Sequence, residues 1–209
     1  LREAFTFKVP GAEFTPQYRA RLWDGRIRLW NTQTKQLYRG LVPYVAKFCE
    51  ERSYEWDYEN EDFDEEFSLV EAQEFVDKIR PKHAPRDYQL DAFVHAVRTR
   101  RSLLLSPTAS GKSLIIYLLA RLFEHRGLKK GLIIVPTVSL VEQLTNDFKD
   151  YSETNGWNVS DNVHKIYQGQ DKGTNKFLTI STWQSLYTMP SKYFANFDFV
   201  IGDEAHLFK

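Results

Sequence analysis

The sequence predicts an α/β protein: a parallel β-sheet flanked by helices over residues 81–209, preceded by a small α+β module over residues 1–80. Three observations carry this. In the second part, short continuous apolar runs alternate with amphipathic helices, the pattern of strands covered on both faces. In the first part, short period-two stretches alternate with turn signals. The charge divides the chain as well. Residues 1–48 carry nine basic side chains against three acidic ones, and residues 50–77 carry one basic against thirteen acidic. Residues 78–112 turn basic again, which places the boundary near residues 81–85.

The first module reads as strand, helix, two strands, helix, strand. Phe5 and Phe7 alternate in a short strand. Thr15 before Pro16 is an N-cap followed by proline at the first helical position. Asp24-Gly25 marks a turn. Residues 26–30 alternate with period two, so Arg26 and Arg28 share one face and Ile27 and Leu29 the other. Val42, Val45, Ala46 and Cys49 stand at helical spacing within residues 41–52, and Cys49 reads as a core residue. Tyr54, Trp56 and Tyr58 alternate with acids as a last strand, and the acidic run 59–66 reads as a loop.

The second module is more regular. Residues 86–98 form a helix, and Leu103, Leu104 and Leu105 a buried strand followed by a Gly/Ser turn. Residues 114–123 form an apolar helix, 132–135 a strand and 138–148 a helix. Residues 177–180 and 199–201 complete the sheet.

Composition bounds the function. Twenty-eight basic and 28 acidic residues cancel, and aromatics make up 15% of the 209 residues, which excludes a disordered chain. No run of ~18 apolar residues suits a membrane span. The one cysteine cannot form an internal disulfide, which fits a reducing, cytoplasmic compartment. Without an initiator methionine, the chain reads as a piece of a longer protein.

Ser106-Pro107-Thr108-Ala109-Ser110-Gly111-Lys112-Ser113 matches the P-loop pattern, with Ser106 where the first glycine usually stands. A turn after a strand points successive N–H groups at phosphate oxygens. Gly111 permits close backbone approach, Lys112 reaches the β- and γ-phosphates of ATP, and Ser113 supplies a hydroxyl for Mg²⁺. Asp203-Glu204-Ala205-His206 directly follows the last strand, so its carboxylates fall at the ligand edge of a parallel sheet. Asp203 would hold Mg²⁺, and Glu204 would orient and deprotonate the water that attacks the γ-phosphorus.

These motifs resemble motifs I and II of the superfamily two helicases of the DEAH-box type. Further motifs follow in the family's order. Arg86-Asp87-Tyr88-Gln89 is similar to its Q motif, in which Gln89 would read the adenine edge with Arg86 assisting. Pro136-Thr137 and Thr182-Trp183 resemble motifs Ia and Ib, which grip nucleic-acid phosphates in that family; alone, each loop could be a capped strand-to-helix turn. The resemblance implies a first RecA-like ATP-binding domain over residues 81–209, with His206 coupling the nucleotide site to the gripping loops. A second RecA-like domain would carry the arginine fingers, which are worth ~10³–10⁵ in rate. The chain alone is therefore expected to hydrolyse ATP poorly.

The string Trp23-Asp24-Gly25-Arg26-Ile27-Arg28-Leu29, with Phe14 to Arg19 before it, resembles the head of the T-even phage recombination and repair helicases. That family implies an ATP-driven monomeric motor in the host cytoplasm. Its partner is branched or single-stranded DNA, including RNA–DNA hybrids. Arg19, Arg21, Arg26 and Arg28, interleaved with Tyr18, Trp23 and Trp30, suit phosphates and exposed bases. The same arginines could instead pair with the acids of residues 50–77. Rival readings are another superfamily two translocase, a P-loop small-molecule kinase, and a passive DNA-binding module. Of the remaining residues, His83, His95 and His125 carry no sequence-level sign of function.

Overall fold

The computed structural model describes residues 1–57, 66–107, 109–167 and 173–207. Thr108 of the phosphate loop, Tyr58 of the expected last strand of the head and nearly all of the acidic run lie outside them. Contacts divide the chain into two units, Leu1–Glu61 and Asp62–Lys209.

In the first unit, β1 (Thr6–Lys8) pairs antiparallel with β2 (Arg26–Arg28), and Phe7 stands opposite Ile27. The period-two reading of Arg26 and Arg28 is therefore correct, and Lys8 and Thr6 join their face. The apolar face is not core: Phe7 and Ile27 are about half exposed. Between the strands, the single turn α1 (Pro16–Arg19) begins as expected, with Thr15 Oγ1 accepting from the Tyr18 N–H at 3.3 Å. The helix α2 (Val42–Glu50) buries no residue fully, so Cys49 is half-buried rather than core. Among the described residues of this unit the buried apolar side chains are Phe5 and Ala12, which make little interior. The expected strand at Tyr54 and Trp56 does not form over the described residues, and both rings are exposed. Alternation specifies a strand only where a neighbour supplies the ladder.

The second unit begins earlier than the charge pattern suggested. Its first helix, α3 (Leu69–Ile79), opens with a reciprocal capping box in which Ser68 Oγ accepts from the Glu71 N–H and the Glu71 carboxylate accepts from the Ser68 N–H. Ala72, Phe75, Val76 and Ile79 then pack into the same core as α4 (Asp87–Thr99) and α5 (Lys112–His125). The chain continues through β3 (Gly131–Val135), α6 (Val138–Ser152), α7 (Val159–Asn162) and β4 (Val163–Ile166). It ends with β5 (Leu178–Thr182), α8 (Trp183–Leu186), α9 (Ser191–Phe194) and β6 (Phe199–Gly202). The sheet is parallel throughout, in the order β4-β5-β3-β6. Its central strands β3 and β5 are buried, as their apolar runs predicted. Over them the aromatic side chains of Tyr117 and Phe148 meet edge to face at 5.2 Å.

One expected strand is absent. Leu103, Leu104 and Leu105 are not part of the sheet, and Leu103 and Leu105 are 75% and 90% exposed. An apolar run becomes a buried strand only with ladder partners on its edges and cover on its faces. Only Leu104 reaches the core. No helix among the described residues is long and apolar enough to cross a membrane.

Gly131 sits opposite Phe199 in the β3–β6 pair, and a Cβ at this position would lie 2.1 Å from the Phe199 ring. That ring packs between Phe123 and Phe177 and has little room to withdraw. Gly131→Ala is expected to destabilise the unit by about 1–3 kcal/mol, read as a lower urea midpoint at unchanged slope.

Candidate nucleotide and nucleic-acid site

The site is assembled where β3, β5 and β6 end together. Parallel register pairs Val135 with Thr182 and Ile134 with Gly202, so Pro136, Trp183 and Asp203 leave the sheet side by side. The Asp203 N–H donates to the Ile134 carbonyl at 2.9 Å and extends the ladder by one residue. The chain then turns at Glu204, whose φ of +52° is the left-handed conformation rarely adopted by a residue with a Cβ.

The phosphate loop is shaped by left-handed residues at Ala109 and Gly111 on either side of Ser110, an arrangement that turns backbone N–H groups toward one concavity. The loop runs into the N-terminus of α5, whose first N–H groups have no helical partners. Ser106 Oγ and Ser110 Oγ are hydrogen-bonded across it. From outside, Tyr88 Oη and Gln89 Nε2 both donate to the Ser110 carbonyl at 2.9 Å. Gln89 Nε2 also donates to the Gly111 carbonyl, while Gln89 Oε1 accepts from the Arg86 N–H. Gln89 is thus buried, with its amide engaged at both ends. Arg86 Nη1 lies 3.3 Å from Tyr88 Oη. In this state the Arg86–Gln89 segment braces the loop, and reading an adenine would require Gln89 to exchange a backbone partner.

Lys112 and Glu204, far apart in sequence, form an ion pair of 2.6 Å. The hydrogen bond from Lys112 holds the Glu204 carboxyl below the usual carboxylate range, and Glu204 in turn raises the Lys112 ammonium. Burial pushes the adjacent Asp203 carboxyl up, against the pull of Lys112. The exposed His206 sits with Nδ1 3.4 Å from Glu204. Ser113 Oγ is 2.8 Å from the hydroxyl of Tyr151, a residue of α6 that the sequence did not single out. Nothing local to Tyr151 signals that contact, whereas Tyr88 stood inside a motif already noted.

Ser113 and Asp203 are hard oxygen donors of the kind Mg²⁺ takes. No group of three or more His, Cys, Asp or Glu side chains among the described residues could hold a metal by itself. This donor set fits an ion completed by phosphate oxygens and water.

Of the motif Ia and Ib residues, Thr137 is exposed and caps α6, while Pro136 and Thr182 are buried. Gln184 Nε2 donates to the Pro136 carbonyl and ties the two loops together. In the first unit, Arg28 is engaged bidentately by Asp24. Arg19, Arg21 and Arg26 make no ion pair among the described residues. Arg19 and Arg21 line a cavity of about 580 Å³ with Tyr18, Leu22 and Trp23.

The family model of the type III restriction enzyme res subunit matches residues 82–209, and that of the DNA helicase UvsW N-terminal region matches residues 1–59. The chain is 36% identical over 221 residues to the ATP-dependent DNA helicase uvsW of Enterobacteria phage T4, covering 99% of this chain and 42% of that protein. It is 25% identical over 128 residues to the DNA 3'-5' translocase XPB2 of Sulfurisphaera tokodaii, covering 61% of this chain and 26% of that one. A crystal structure of the UvsW helicase from bacteriophage T4 superposes with a TM-score of 0.86 at 34% identity, over all of this chain and 76% of that chain. A second T4 UvsW crystal structure superposes at 0.84 with 33% identity, over 98% of this chain and 42% of that one. The chain therefore spans less than half the length of the curated relatives it matches.

The opposed shifts of Glu204 and Asp203 set a pH test. Glu204, held low, contributes stability above the ordinary carboxylate range of ~4.3 and loses it as pH falls through its lowered value. Asp203, held high, works the other way: its ionised form is disfavoured in the fold, so the fold gains as pH falls. Glu204→Gln should lower the thermal midpoint at pH 7 and not near pH 3. Asp203→Asn should raise it at pH 7. Midpoints measured across that range for both variants check the signs.

Proposed function

Because the chain belongs to the family of the type III restriction enzyme res subunit and carries a UvsW-type amino-terminal module, we propose that it is the ATP-binding part of an ATP-dependent DNA helicase or translocase. Its working role is to remodel branched DNA such as R-loops, forks and Holliday junctions in recombination, repair and replication, in the host-cell cytoplasm. The observation that carries the reading is the Lys112–Glu204 pair, which joins the phosphate loop to the acidic motif at one sheet edge.

The residues divide the chemistry. ATP places its phosphates in the loop of residues 106–113, and the phosphate oxygens take over Lys112 from Glu204. The released Glu204 carboxylate orients a water and accepts its proton as the water oxygen attacks the γ-phosphorus and ADP leaves. Mg²⁺, when bound, neutralises phosphate charge, with Ser113 and Asp203 on hand to hold it. His206, beside Glu204, is placed to couple the site to the loops at Pro136–Thr137 and Thr182–Trp183. Thr137 and Trp183 present the more accessible surfaces to a DNA strand. Arg19 and Arg21, with Tyr18 and Trp23, supply cations and rings for a DNA backbone and its exposed bases. A small-molecule kinase gives no reason for the paired loops or for the basic head.

The test is ATP hydrolysis by the full-length protein with forked DNA, linear duplex and no DNA. Fork-stimulated turnover is expected, abolished by Lys112→Ala. Turnover indifferent to DNA sinks the motor reading. Glu204→Gln should lose turnover while binding ATP several-fold more tightly, since Lys112 no longer has to be freed from a carboxylate; unchanged turnover would favour a passive module.

A further inference from the structure

A cavity of about 530 Å³ opens on the second unit between the ends of α3 and α5 and the chain just beyond α6. It is lined by Lys78, Arg80, Arg121 and His125, with Glu124 as its acidic side chain. Arg121 lies nine residues beyond Lys112 on α5, about 14 Å along the helix at ~1.5 Å per residue. The cavity is therefore separate from the phosphate loop.

Its charges are not balanced from within. Glu124 is already shared between Arg121 Nε and the Trp157 indole N–H, at 3.1 and 3.2 Å. Arg121 is fixed rather than free: Nη1 donates to Tyr117 Oη, and the guanidinium lies 4.8 Å over the Trp157 ring. Lys78 Nζ meets His125 Nε2 at 3.1 Å. An ammonium only donates, so in this contact the ring nitrogen is the acceptor. Lys78 and Arg80 have no carboxylate partner among the described residues. Arg80 also holds a left-handed backbone, φ +47° and ψ +62°, at the end of α3, where glycine is the unstrained choice. A cation in a last helical turn favours the helix dipole, which accounts for Lys78. It does not account for a strained arginine beyond the helix or for a preorganised one facing the same space.

We propose that this cavity is a second anion site, which takes a phosphate group through Arg80, Arg121 and Lys78. The phosphate is either free or part of a nucleic-acid backbone. Planar guanidinium groups suit phosphate oxygens bidentately, and the Lys78 ammonium adds a point charge.

The test uses the full chain carrying Lys112→Ala, so that the phosphate loop does not answer. Inorganic phosphate and a short single-stranded oligodeoxynucleotide are titrated separately, and the Trp157 indole N–H resonance is followed as the local reporter. A saturable shift is expected with at least one probe. Adding Lys78→Ala and Arg80→Gly should weaken it at least about tenfold. Glycine at position 80 relieves the left-handed strain, so Arg80→Gly alone should keep or raise the thermal midpoint, which separates lost binding from lost folding. Saturation by inorganic phosphate identifies a free ligand; saturation by the oligonucleotide alone identifies a nucleic-acid backbone. No shift with either probe, or affinity within about twofold after both substitutions, overturns the proposal.

Discussion

The phosphate loop is held by side chains rather than by the sheet. Leu103, Leu104 and Leu105, which lead into it, make no ladder. Its position instead rests on the buried Gln89, whose amide spans the start of α4 and the Ser110 and Gly111 carbonyls. The fit is close: a Cβ on Gly111 would come within 2.2 Å of Gln89 Nε2. Tyr88 adds a second donor to Ser110, and the Ser113–Tyr151 contact ties the start of α5 to α6. A buried amide with both N–H groups and its carbonyl oxygen engaged is a rigid support, because each bond it surrendered would leave a polar group unsatisfied.

On that support, electrostatics sets the resting state. Lys112 and Glu204 neutralise each other, and neither can perform its proposed role while the pair is intact. Asp203 is left as the half-buried carboxylate next to them, its ionised form disfavoured by that burial. Parallel register makes this arrangement possible. β3, β5 and β6 end flush, so carboxylates and both loops share one edge. Gln184, bonded to the Pro136 carbonyl, makes the two loops one surface.

Neutral overall charge conceals a local sorting of cations. In the head, Asp24 takes Arg28 and leaves Arg19 and Arg21 beside an open cavity with aromatic walls. In the second unit, Lys82 is anchored by Asp150 and Glu153, and Lys165 by Glu142. Lys78 and Arg80 are not anchored in this way, and they face the same cavity as Arg121. Which cations are available to phosphate is thus decided by where carboxylates fold, not by their number.

The sequence by itself determined the helices α4, α5 and α6, the strands β3, β5 and β6, and the two motifs at the nucleotide site. Each depends on contacts within a few residues: a periodic apolar face, a cap such as Thr137, a Gly-Lys-Ser turn. The capping box at Ser68 and Glu71 was equally local and would have marked α3. Tertiary structure alone decided that α3 joins the second unit, that Leu103 and Leu105 stay exposed, and that Lys112 meets Glu204. It also decided that Tyr151 reaches Ser113 and that Arg80, Arg121 and Lys78 converge. These pairings join residues far apart along the chain. Their physical cause, the partner that packing brings within a few ångströms, leaves no periodicity in the sequence.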